Sequence, residues 1–153
     1  MPKRGDLFSV ASGAGDGATT AGGVIVFGLH AADKVCDIRY LEVSADENCQ
    51  FWIEVYEDAG AFADGNALTP IKADGRSSGT TTAVALDNDG GAITAPDTER
   101  GDWANLFSPA YEPIPWKFDP DEFVLAKDDV LIVKAKTATA DGIVTVTAHW
   151  EEL

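Results

Sequence analysis

Apolar and polar positions along this chain alternate with a period of two far more often than with the period of a helix. From residue 23 onward, β-prone runs at 23–29, 35–44, 49–56, 80–86, 115–118, 129–137 and 143–150 are separated by stretches rich in Gly, Asp, Asn and Ser. No segment sustains apolar residues at i, i+3 and i+4 over a helical length. The breakers supply turns at 44–48, 58–60, 87–91 and 139–142. This spacing predicts an all-β chain, an antiparallel β-sandwich of jelly-roll-like form. Residues 1–22, Gly-rich from 11 on, are expected to be a flexible N-terminal arm, and 23–153 a single sandwich domain.

Side-chain parity indicates which faces need cover. Over 49–56, Cys49, Phe51, Ile53 and Val55 face the core, while Gln50, Trp52, Glu54 and Tyr56 face outward. In the last run Val144, Val146, Ala148 and Trp150 share one face. Residues 130–133 are apolar on both faces, so that strand is expected to lie centrally or to be covered by another chain. The parity slips between Tyr40 and Leu41, which predicts a bulge. Residues 87–114 read as a long loop holding Trp103, Leu106, Phe107 and Tyr111, either folded over an open end or forming a lobe that meets a neighbour. The small apolar group Leu7, Phe8 and Val10 lies on the N-terminal arm, which is expected either to fray or to order on a neighbouring subunit. The doubly apolar strand, the small-residue arm and the aromatic loop each have an explanation within one subunit, but together they favour a closed homo-oligomer such as a trimer.

Length and charge narrow the function. The 153 residues suffice for one self-sufficient core. Lys+Arg number 11 against 26 Asp+Glu, and the resulting net charge of −15 repels phosphate backbones, so no direct nucleic-acid partner is expected. The most apolar stretch, 22–29, is too short to span a bilayer, and no secretory leader or membrane partner is expected. Cys36 and Cys49 lack zinc or redox spacing and read as reduced thiols, with a disulfide between neighbouring strands as the alternative. His30 and His149 belong to no nucleophile motif. The acidic clusters at 119–122, 128–129 and 151–152 read as turn and terminal residues without the apolar enclosure of a catalytic acid. The 87–91 segment reads as a hairpin turn rather than a calcium loop. Neither enzyme activity nor a metal or cofactor is expected. Trp52, Trp103, Trp116 and Tyr111 could form a sugar-stacking platform or serve as core and interface anchors.

The second half of the chain resembles a known group. Leu68-Thr-Pro-Ile-Lys-Ala-Asp-Gly-Arg-Ser-Ser78 is followed by a Thr-rich strand at 80–86, by Trp116-Lys-Phe118, by a strand, turn and long strand over 122–133, and by an aromatic-acidic terminal strand at 144–152. In this order the segments resemble virion proteins of tailed bacteriophages, among them head decoration (cement) proteins with small jelly-roll domains. The resemblance covers about residues 49 to 153; Gly75 and Ser77 stand where that group has asparagines beside the Arg. It implies a noncatalytic structural protein, made in the host cytoplasm, that decorates and stabilises the outer surface of the capsid by bridging major capsid protein subunits. A tail or baseplate module that binds host glycans is the alternative. Leu7, Phe8, Val10, Arg76, Trp103, Phe107 and Tyr111 are the expected partner-binding residues.

Overall fold

Alternating β-branched, aromatic and polar residues make strands over more than half of the described residues. The computed structural model describes residues 5–12, 15–17, 19, 21–72 and 81–153, with the backbone alone at 15, 16, 99, 100 and 102. In chain order the strands are β1 (Asp6–Ala11), β2 (Gly15–Asp16), β3 (Val24–His30), β4 (Cys36–Ala45), β5 (Cys49–Asp58), β6 (Ala63–Asp64), β7 (Asn66–Leu68), β8 (Ile71–Lys72), β9 (Val84–Asp87), β10 (Ile93–Thr94), β11 (Thr98–Ser108), β12 (Ile114–Lys117), β13 (Val124–Leu125), β14 (Val130–Thr137) and β15 (Ile143–Glu152).

They form an all-β, antiparallel sandwich. One sheet has the order β12-β4-β15-β1-β8, with β13 on β4 and β2 on β15; the other has the order β11-β5-β14-β3-β9-β7. β6 and β10 make a small ribbon of their own. The chain crosses between the sheets from β3 to β4, β4 to β5, β11 to β12 and β14 to β15, so the core is sealed by strands distant in sequence. Phe27, Leu29, Ile38, Leu41, Phe51, Ile53, Leu131, Val133 and Trp150 fill the space between the sheets, each fully buried.

Three expectations need adjustment, and a fourth, the central place of the doubly apolar strand, is met. Residues 6–11 are a strand of the first sheet rather than part of an arm, paired to β15 with Phe8 opposite Trp150. Phe8 and Val10 point inward and are 1% and 6% exposed, and the Phe8 ring stacks on Trp150 at 6.1 Å. Burying each is worth about 2 kcal/mol, more than solvent exposure on an arm could return. They therefore belong to this subunit's own core and are not offered to a neighbour.

The segment 87–114 is not a long loop. Its centre, β11, runs antiparallel to β5 from Thr98 opposite Asp58 to Ser108 opposite Cys49. Register shifts at 98/99, 99/101 and 102/104 break the period of two, which is why the alternation was hidden.

The doubly apolar strand β14 is central, between β5 and β3. Its outward residues Val130 and Ile132 are fully buried, covered by a second cluster containing Ile25, Tyr56, Ala59, Phe62, Leu86 and Ile93. The cover comes from this chain's own excursion between β5 and β11. Gly28 makes it possible: a Cβ there would lie 2.5 Å from Phe62 Cε1.

The bulge falls one residue before the expected step. His149 pairs with Tyr40 and Trp150 with Ile38, leaving Arg39 as the extra residue of β4. Arg39 Nε lies 3.2 Å from buried Asp37, and its Nη2 donates to buried Glu151. Cys36 and Cys49 are both free and buried, and burial pushes each thiol up to about 12.

Candidate functional site

Three turns meet at one end of the sandwich, where β4, β11 and β14 finish and β5, β12 and β15 begin. Polar side chains tie these turns together. Asp46 accepts from the Ile143 amide at 2.7 Å, Glu47 from the Thr139 amide at 2.8 Å, and Asn48 Oδ1 from the Ala110 amide at 3.1 Å. The Tyr111 amide donates to the Ala45 carbonyl at 2.8 Å, and buried Ser108 donates to the Glu112 carbonyl at 2.8 Å. The sequence turns at 44–48 and 139–142 thus become a braced platform.

Large apolar groups stand out from this platform. Phe107 is 77% and Tyr111 79% exposed. Tyr111 has φ of 61°, a left-handed conformation that strains a bulky L-residue. On one side of the 108–113 turn lies a groove of about 610 Å³ lined by Asn48, Gln50, Phe107, Ser108, Lys136 and Thr137, among others. On the other side, Tyr111, Pro113 and Ile143 border a depression of about 250 Å³.

The groove continues onto the outer face of the second sheet. Pairing places Phe107, Gln50 and Lys136 in one row across β11, β5 and β14, and Asn105, Trp52 and Lys134 in the next. Gln50 Nε2 donates to Asn105 Oδ1 at 2.9 Å, linking the rows. Lys134 Nζ lies 2.7 Å from buried Glu54. Burial pulls this ammonium down, but the Glu54 hydrogen bond and charge more than restore it, leaving it above its ordinary 10.5. Lys136 forms no ion pair among the described residues.

The expected partner-binding residues therefore separate. Phe107 and Tyr111 share the braced end. Trp103 does not join them: its ring meets Trp116, Phe118 and Phe123 edge-on at 5.5, 5.3 and 5.2 Å, closing the gap between β11 and β12. Leu7 is exposed on the outer side of β1, Phe8 and Val10 are core, and Arg76 lies outside the described residues. Of the sugar-platform aromatics, Trp103 and Trp116 cover each other. Trp52 leans on Gly23, where a Cβ would lie 2.8 Å from its ring.

Gln50 and Lys136 were missed by the sequence reading. Parity put Gln50 outward, but only the strand register brings it beside a lysine 86 positions away.

The remaining polar candidates have structural partners. Glu151 accepts from the Gly5 amide, and Glu152 from the Thr82 and Ala83 amides, so the terminal pair fastens two distant segments. Asp87 Oδ1 accepts from the Asp89 amide and from Asn66 Nδ2, as a turn residue does. His30 Nε2 lies 2.8 Å from Asp128. His149 is held below its ordinary 6.5 by burial. Among the described residues, no group of three or more His, Cys, Asp or Glu is placed to hold a metal, and no helix is long and apolar enough to cross a membrane. No family model, curated protein or solved structure matches the chain.

Proposed function

We propose that this chain is a noncatalytic structural protein of a tailed-bacteriophage particle. It sits on the outside of the capsid as a homo-oligomer, a trimer, and bridges neighbouring major capsid subunits. The fold supports this reading: the antiparallel strands form a two-sheet sandwich, the general architecture that the resemblance implies. The observation that carries it is the braced end, where Phe107 and Tyr111 are held out in solvent on a rigid platform. Aromatic anchors on a pre-ordered support lose little freedom on binding. Repeated over a lattice, even modest contacts add up through effective concentration. Exposed Leu7 and Ile71, on adjacent strands at one edge of the first sheet, offer apolar area to a second copy.

The test is co-sedimentation of the purified chain with capsids that lack it, followed by cryo-EM of the decorated particles. Density is expected where capsid subunits meet, with the braced end facing the shell. Replacing both Phe107 and Tyr111 by Ala is expected to weaken attachment by about tenfold or more. Failure of the wild-type chain to bind any particle, or full binding by the double variant, would overturn the reading.

A further inference from the structure

We infer that the outer face of the second sheet, where the groove beside Phe107 opens onto it, binds an acidic saccharide. This inference stands whether or not the chain decorates a capsid, because it rests on the lone subunit and, apart from Phe107, on other residues.

The face is a small grid. Rows Phe107–Gln50–Lys136 and Asn105–Trp52–Lys134 repeat the same three kinds of group: aromatic ring, amide and ammonium. Neighbouring strands are ~4.8 Å apart and alternate residues on a strand ~6.7 Å, so the grid matches one or two sugar rings in size. Each kind of group has a task on a sugar. The exposed Phe107 ring offers an apolar face to the C–H side of a pyranose. Gln50 and Asn105 use one half of each amide on each other, so Gln50 keeps its oxygen and Asn105 its NH2 for sugar hydroxyls.

Charge selects within the saccharides. Lys134 is already neutralised by Glu54, whereas Lys136 lines the groove with no ion pair among the described residues. In a chain with 26 acidic and 11 basic residues, an ammonium left uncommitted is complementary to a ligand carboxylate. The same net charge disfavours a polyphosphate strand, whose many charges meet the whole field, far more than a single sugar acid held at one lysine.

The experiment is a ¹⁵N NMR titration of the full chain with 3′-sialyllactose, with trigalacturonate and with neutral lactose. The acidic probes are expected to shift Gln50, Asn105, Phe107 and Lys136, including the two side-chain amides, with dissociation constants in about the millimolar range. Lys136→Gln is expected to weaken the acidic probes about fivefold while leaving lactose unchanged, and Phe107→Ala to abolish binding of all three. Both side chains face solvent or the groove, and a dispersed spectrum checks that each variant folds. Lactose binding as tightly as 3′-sialyllactose, shifts confined to other surfaces, or no shifts up to about 50 mM would overturn the inference. Capsid co-sedimentation is scored separately, so failure of one reading leaves the other measurable.

Discussion

Tyr111 shows most directly how one side chain couples stability to presentation. Its backbone sits at φ of 61° while its ring is 79% exposed, so little packing offsets the strain. Tyr111→Gly is therefore expected to raise stability by about 1 kcal/mol, roughly 2–4 °C in Tm, while losing the anchor. Thermal unfolding beside particle binding checks both parts, and a fall in Tm would show that the ring is packed rather than presented. The two thiols behave oppositely to reactive cysteines. Held near 12 against an ordinary 9.0, they keep their protons in the folded chain at pH values where the unfolded chain loses them. Folding stability from these groups is intact below pH 9 and declines as pH rises from there towards 12. Neither thiol should react with a disulfide reagent at about pH 8 until the chain is unfolded, when both should be titrated. Fast labelling of the native protein would contradict the burial.

At the scale of strands, the sequence was legible wherever a run of alternating or continuous apolar residues was bounded by turn residues. β5 and β15 stand close to their expected places because their inward residues alternate, and β3, β4 and β14 because each is a β-prone run bounded by turn residues. β1 and β11 were not legible for two different reasons. β1 is brief and flanked by glycines, so its membership depends on pairing with β15. β11 carries three register shifts that scramble its alternation. The apolar outer face of β14 was read correctly as needing cover, but an intrachain lid and a neighbouring chain leave the same sequence pattern. Gly28 and Phe62 give that lid a test. Gly28→Ala is expected to destabilise by about 1–3 kcal/mol, since the new methyl meets the Phe62 ring at 2.5 Å. Phe62→Ala makes room for it, so the double variant should cost less than the sum of the single changes in urea denaturation. Strict additivity would mean that the lid does not rest on Gly28.

Across the whole molecule, the features that spoke for assembly in the sequence are satisfied within one subunit: Phe8 and Val10 in the core, Val130 and Ile132 under the lid, β11 in the sheet. What remains for the proposed partners is smaller and more specific: the braced end, the exposed Leu7 and Ile71 at one sheet edge, and the grid. The grid was only half legible, since a row across three strands depends on register that no single segment encodes. Salt distinguishes these surfaces because the chain carries a net charge of −15. Like-charged copies repel, and that repulsion is screened beyond ~10 Å at about 0.1 M salt. Self-association through apolar contacts should then hold or strengthen between about 0.05 and 0.5 M NaCl, with sedimentation velocity giving a mass near three times 16.1 kDa. The Lys136 contact has the opposite sign: it attracts a carboxylate, so the same rise in salt should weaken acidic-sugar binding while leaving any lactose binding unchanged. A single sign of salt response for both processes would mean that one surface serves them, and the division between the Leu7 and Ile71 edge and the grid would fall.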